Sequence, residues 1–261
     1  MNAIEVKNLR KSYKGLSLDV SFTIPSGYAC GFIGRNGAGK TTTLKCLLGM
    51  TISDGGNVKI LGKPLGDISV KEELGVLLDQ PYYQEDWTAV DIEKALRPYY
   101  RRWSGDDWRK YLELFQLPER KKFKEFSRGM KMKLGMAAAM AHDAKLLLLD
   151  EPTGGLDPVV REEILDLMRE YLLDESRTIF FSTHITSDLE KIADRIIFIS
   201  NGKIVLDDEK DTLCEKYVLV RGGGYDQLMS CSLIGGLPSD VLTDKPTLED
   251  IVVYFERGKV K

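Results

Sequence analysis

Leu18, Val20, Phe22 and Ile24 alternate with polar residues, the period of a strand with one buried face. Pro25-Ser26-Gly27 then turns the chain, so the segment predicts an N-terminal antiparallel β element. Tyr28 to Ile33 reads as a buried strand running into a glycine-rich stretch, and Thr41 to Gly49 has the apolar spacing of a helix that ends at glycine. From about Pro81 to Met140 the texture changes. Val90–Arg101, Asp106–Phe115 and Ser127–Ala141 read as helices rich in charged and aromatic residues, which predicts an inserted helical subdomain. Beyond it come a strand (Leu146–Leu149), a helix with proline in its first turn (Pro158–Leu173), a strand (Thr178–Ser182), a helix (Ser187–Ala193) and a strand (Ile196–Ser200). That alternation predicts a parallel sheet covered by helices, closed by a hairpin at Asn201-Gly202.

The expected organisation is a core over 1–82 and 142–215, a helical subdomain over 83–141 and a small, less regular extension over 216–261. The extension contains Gly222-Gly223-Gly224. Its segment from Pro246 to Asp250 reads as the start of a capped helix with Ile251, Val252 and Phe255 on one face, expected to dock on the core.

Composition narrows the classes. At 261 residues and 43% hydrophobic content the chain can bury one substantial core. No apolar run approaches the roughly 18 residues of a membrane span, and the first residues lack the pattern of a signal peptide. A soluble protein is expected, and any membrane pore would come from another chain. With 37 basic and 40 acidic residues, a net charge of −3 gives no reason to expect nucleic acid as a partner. Between Arg97 and Lys133, however, 12 basic residues face 5 acidic ones, an excess that reads first as a solvated helical face. Cys30, Cys46, Cys214 and Cys231 show no metal-type spacing and read as buried free thiols.

Gly34-Arg35-Asn36-Gly37-Ala38-Gly39-Lys40-Thr41 fits G-x-x-x-x-G-K-[ST] in the context the motif needs, between a predicted strand and a predicted helix. Glycines let successive N–H groups close round phosphates, and the helix N-terminus adds a positive dipole end. Lys40 can reach the β- and γ-phosphates, and the Thr41 hydroxyl can ligate Mg²⁺. A second apolar strand, Leu146–Leu149, ends in Asp150 and Glu151, at the strand edge where open α/β sheets bind ligands. Asp150 suits Mg²⁺ and Glu151 suits polarising a water. The fold class expected is α/β, a P-loop NTPase core with a parallel sheet.

With both motifs in order the chain resembles an ABC-transporter ATPase subunit across about residues 3 to 207. Phe126-Ser127-Arg128-Gly129-Met130 resembles that family's L-S-G-G-Q signature, keeping Ser127 and Gly129. The resemblance implies that Ser127, Arg128, Gly129 and Met130 meet the ATP bound to an opposite subunit, and a serine N-cap with exposed N–H groups suits an anion. Thr153-Gly154-Gly155-Leu156-Asp157 resembles the D-loop, with Asp157 its acidic residue, and Ser182-Thr183-His184 resembles the switch histidine; His142 reads as structural. Gln80 fits the Q-loop, which senses Mg²⁺ and faces the membrane partner, with Asp79 the alternative one residue earlier. Tyr13 stands where the family stacks an aromatic ring on adenine, and Thr42 extends the phosphate loop.

The resemblance implies ATP and Mg²⁺ as cofactors, catalysis by Glu151 and His184, and metal ligation by Thr41, Gln80 and Asp150. It also implies a second ATPase subunit, identical or different, and a separate integral membrane permease, at the cytoplasmic face of the cell membrane. Ser127-Arg128-Gly129-Met130-Lys131 and the run from Ser182 to Glu190 resemble bacterial exporter-type (ABC-2-like) subunits, which implies export of drugs, peptides or antibiotics. The alternative is a soluble ABC ATPase acting on DNA or ribosomes; the coiled-coil insertions, zinc modules or paired cassettes common in that class are not visible in the sequence.

Overall fold

The structure, a computed structural model, describes residues 1–222, 225–236 and 241–260. Gly223 and Gly224 of the triple-glycine run lie outside them. Strand β1 (Asn2–Tyr13) pairs antiparallel with β2 (Leu16–Pro25). The sequence pattern did not expose β1 because it is bulged: Ala3, Ile4, Val6 and Leu9 are buried, and the register slips between Val6 and Leu9, where Asn8 has φ 51°. An extra residue of this kind breaks strict alternation. β3 (Ala29–Ile33) leads through the glycine loop into α1 (Lys40–Leu47). β4 (Gly55–Ile60) and the short β5 (Lys63–Pro64) complete a first sheet, ordered β2-β1-β4-β5. One turn of helix, α2 (Ile68–Lys71), precedes β6 (Leu74–Leu77).

The helical segment holds α3 (Ala89–Leu96), α4 (Gly105–Leu114) and α5 (Arg128–Met140). The helix read over Val90–Arg101 is shorter than expected: it ends at Leu96 and gives way to a 3₁₀ turn over Arg97–Tyr99, because Pro98 cannot continue the ladder. Side chains fix the helix starts. Thr88 and Asp91 form a capping box, Ser104 accepts from the N–H of Asp107, and Ser127 accepts from that of Met130.

After β7 (Leu146–Asp150) come α6 (Pro158–Tyr171), β8 (Thr178–Thr183), α7 (Thr186–Ile192), β9 (Arg195–Ser200) and β10 (Lys203–Glu209). The second sheet runs β10-β9-β3-β8-β7-β6, parallel except at the β10 edge. Asn201 and Gly202 both have positive φ (48° and 76°) in the predicted hairpin. Its strands are apolar on both faces. Leu146 and Leu148 pack with Phe32, Phe180 and the first sheet, whereas Leu147, Leu149 and Phe181 pack with α5, α6 and α7. Rings of Phe22, Phe32 and Phe180 meet at 5.3 to 5.9 Å between centroids, joining the two sheets.

The C-terminal segment is more regular than its composition predicted. Helix α8 (Lys210–Lys216) leads into a third sheet of β11 (Tyr217–Gly222), β12 (Tyr225–Ser230) and β13 (Leu242–Asp244), ordered β12-β11-β13, and α9 (Leu248–Glu256) follows. Thr247 and Asp250 form the expected capping box; Ile251 and Val252 are buried, and Phe255 meets Phe198 of β9 edge-on. Cys30 and Cys46 are buried, but Cys214 is half-buried and Cys231 exposed, so the expectation of four buried thiols holds for two. Among the described residues no helix is long and apolar enough to cross a membrane.

Close approach of α5 to the sheet depends on Gly75: a Cβ there would lie 2.3 Å from the carbonyl oxygen of Ala139 and 2.4 Å from Leu147. Gly75→Ala is expected to destabilise the fold by about 1–3 kcal/mol, seen as a lowered thermal midpoint.

Candidate functional site

Backbone shape sets the glycine loop. Gly37 and Gly39 adopt φ 83° and 115°, values an L side chain rarely takes. Gly34 is required by packing instead, since a Cβ there would lie 2.4 Å from the Ile199 carbonyl oxygen of β9. Lys40, at the first turn of α1, is 5% exposed. Its ammonium donates to Gly34 O (2.6 Å) and Arg35 O (3.5 Å) and pairs with Glu151 Oε1 at 3.2 Å. Three donors thus meet three acceptors, which is what burying an ammonium requires.

Glu151 is presented from the end of β7. Register places Asp150 opposite Ser182 of β8. The Ser182 hydroxyl donates to Asp150 Oδ1 at 2.5 Å, and the Glu151 N–H donates to Ser182 O and Oγ. Those bonds hold Glu151 at φ 50°, a left-handed conformation that costs a non-glycine residue about 1 kcal/mol or more. The turn points the carboxylate back at Lys40, while its other oxygen accepts from His184 Nδ1 at 2.8 Å. A carboxylate oxygen accepts, so Nδ1 is the donor of this pair, and the ring is half-exposed.

These groups face a cavity of about 390 Å³ lined by Asn36, Gly37, Gly39, Lys40, Thr41, Thr42, Glu151 and His184, with Leu16, Asp79, Arg128, Gly154 and Gly155 among its other walls. Other sequence-predicted residues lie elsewhere. Gly34 and Ala38 support the loop from behind, and Asp150 is buried beneath it at 2% exposure. Tyr13 is half-exposed with the Lys11 ammonium 5.4 Å from its ring centroid; its cross-strand partner Leu16, not Tyr13, lines the cavity. Asp157 caps α6 by accepting from the N–H groups of Val159 and Val160.

Of the two Q-loop candidates, Asp79 lines this cavity, whereas Gln80 lines a second cavity of about 370 Å³ with Asp79, Pro81, Tyr82, Tyr83, Phe123 and Met132. Ser127, Gly129 and Met130 do not line the first cavity, but Arg128 does. Gly129 packs against Val160. His142 is buried at the end of α5 and stacks on Tyr100 at 4.0 Å, away from the cavity. Much of the basic excess over 97–133 meets acids outside that stretch: Lys122 and Lys124 pair with Asp86, Lys110 with Glu170, Arg102 with Asp143 and Lys133 with Glu163. The hydrogen bonds from Lys124 and Lys122 hold the Asp86 carboxyl at about 2.

A glycine loop opening a helix, a buried lysine and a strand-end carboxylate pair on an open α/β sheet define an ATPase domain of the P-loop class. Residues 18–154 match the ABC transporter family, and the chain belongs to it. It is 38% identical over 212 residues to an uncharacterized ABC transporter ATP-binding protein of Nostoc, covering 77% of this chain and 61% of that one. To the bacitracin transport ATP-binding protein BcrA of Enterococcus faecalis it is 34% identical over 208 residues, covering 77% and 68%. A solved ATP-binding subunit of an ABC transporter superposes with a TM-score of 0.72 at 27% identity, covering 82% of this chain and 92% of that one. The chain spans about three-fifths of the length of the first relatives it matches.

Sequence reading missed the support beneath the site. Asp188 of α7, 1% exposed, accepts from Thr153 Oγ1 at 2.5 Å and from Arg161 Nε at 2.7 Å. One carboxylate thus ties the loop after Glu151 to α6 and to the helix that follows His184. An aspartate in the first turn of a helix looks in sequence like an exposed dipole partner, so its burial carried no signal. Asp188→Ala is expected to cost about 3 kcal/mol by stranding Arg161, measured by denaturant unfolding.

Proposed function

We propose that this chain is the ATP-hydrolysing subunit of a transporter whose membrane-spanning part is a separate polypeptide. The observation that carries the reading is the hydrogen-bonded series Lys40–Glu151–His184 facing one cavity beside the glycine loop. Loop N–H groups would hold the β- and γ-phosphates together with Lys40, whose ammonium exchanges its Glu151 contact for a phosphate oxygen and so frees that carboxylate; phosphoryl transfer then needs mainly positioning and charge stabilisation. The Glu151 carboxylate accepts a proton from the attacking water, and His184, held by its Nδ1 bond to Glu151, places its ring beside the γ-phosphate.

Mg²⁺ fits this donor set. Among the described residues no group of three His, Cys, Asp or Glu could hold a metal alone. The Thr41 hydroxyl and the Asp150 carboxylate suit a small, hard ion that keeps waters and takes its remaining ligands from phosphates. When bound, it would offset the negative charge between the phosphates. Mg²⁺ is therefore expected to bind measurably only together with ATP, which isothermal titration with and without the nucleotide will test.

Ser127 and Gly129 lie away from the cavity that holds Lys40, which supports their serving a nucleotide on a second subunit, identical or not, in a head-to-tail dimer. Residues 83–141 would move with that signature turn as a subdomain and 216–261 as an appended unit. Gln80 and the second cavity would face the permease, with the chain at the cytoplasmic side of the cell membrane. A bacitracin transport protein among the relatives favours export of a peptide or antibiotic.

Glu151→Gln is expected to lower phosphate release by about 10²–10⁴-fold while ATP still binds and stabilises a dimer. Near-normal turnover would overturn the role of Glu151.

A further inference from the structure

Arg128 is the side-chain cation at the turn that carries Ser127 and Gly129, yet its guanidinium points back into its own chain. Nη2 donates to Asp79 Oδ1 at 3.0 Å, and both side chains are about half exposed. Between them and the carboxylate end of β7 lies Gly155, at φ 66°, where a Cβ would come within 3.3 Å of the guanidinium. One arginine therefore spans the turn at the start of α5, the loop after Glu151 and the loop after β6. Asp79 and Arg128 are also the residues common to both large cavities.

We propose that Asp79 and Arg128 form an exchangeable latch: Asp79 holds the guanidinium back from the anion site of its own turn, and the triphosphate on a second subunit takes it over. The inference rests on the shared-site reading above and deepens it. A half-exposed ion pair has little net stability, whereas a triphosphate offers several charges and a bidentate surface that suits guanidinium. Exchange also frees Asp79. Capture of phosphate by the α5 turn thereby releases the loop running into Gln80, Pro81 and Tyr82, which walls the second cavity. Arg128 thus acts as a positioning residue, converting the arrival of nucleotide on one subunit into loosening of the Asp79 loop on the other.

The test is a double-mutant cycle in the Glu151→Gln background, with ATP-dependent dimerisation followed by analytical ultracentrifugation. Asp79→Asn is expected to tighten the ATP-bound dimer about threefold or more, because the latch is open. Arg128→Gln should weaken it about tenfold, and Arg128→Lys should recover part of the loss. Combined, Asp79→Asn and Arg128→Gln should match Arg128→Gln alone. Asp86→Asn, which changes net charge equally but at the Lys122 and Lys124 pair, should leave dimerisation unchanged. A dimer weakened or unaltered by Asp79→Asn, an Asp79→Asn effect that survives without Arg128, no effect of Arg128→Gln, or equal tightening by Asp86→Asn would each overturn the latch. Failure of the Glu151→Gln parent to dimerise with ATP would instead overturn the shared-site reading, and the latch with it.

Discussion

A lysine ammonium taken out of water must find acceptors for all three protons, and the site is organised round that demand at Lys40. Two acceptors are carbonyls of Gly34 and Arg35, so the loop has to curl back over its own lysine. The third is Glu151, which reaches Lys40 only because its backbone is held in a left-handed turn. Without the Ser182 bonds that fix this turn, the residue would relax toward ordinary strand geometry and its carboxylate would leave the lysine. His184 then completes the series on the opposite carboxylate oxygen. The positions of the lysine, the carboxylate and the histidine are therefore consequences of one satisfied buried charge.

Sheet register determines that these groups can meet. Ile33 pairs with Thr183, Asp150 with Ser182 and Leu77 with Leu149. The four parallel strands β3, β6, β7 and β8 consequently end at one edge, and the loops carrying Gly34, Asp79, Glu151 and His184 leave side by side. Both faces of those strands are apolar, so the register is fixed by the fit of each side chain into its own core and by polar bonds at the strand ends, such as Ser182 to Asp150. The antiparallel sheet on one side and the helices on the other then hold the edge strands in place.

What could be read from sequence was whatever repeats with a fixed period or carries its own local chemistry. The glycine loop, the apolar strand ending in Asp150-Glu151, the Asn201-Gly202 hairpin and the Thr247–Asp250 cap all specify their geometry within a few residues. β1 was hidden because a bulge at Asn8 shifts the phase of its buried residues, and Val90–Arg101 was overextended because a helical pattern continued past Pro98. The Thr153–Asp188–Arg161 network was invisible for a different reason. Its members are 8 and 27 residues apart along the chain, and only tertiary burial tells this aspartate from a surface one. The placement of Asp79 rather than Gln80 in the wall of the Lys40 cavity depends on how the chain leaves β6, which no spacing rule encodes.

The site is thus enclosed unequally. Its floor, from β3, β7 and β8, is anchored in two apolar cores and has little freedom to change shape. Its outer walls differ in how they are attached. On one side the guanidinium of Arg128 and the Asp79 carboxylate close it with a half-exposed pair. On the other, Val252 and Glu256 of α9 border Arg35, Asn36 and His184. The C-terminal unit therefore reaches the glycine loop through one helix, with Glu256 4.0 Å from Arg35, and buried Ile251 fastens that helix to the core. The half-exposed Asp79–Arg128 wall therefore costs little to displace, while the floor and the α9 wall, packed into one apolar core, cannot yield in its place.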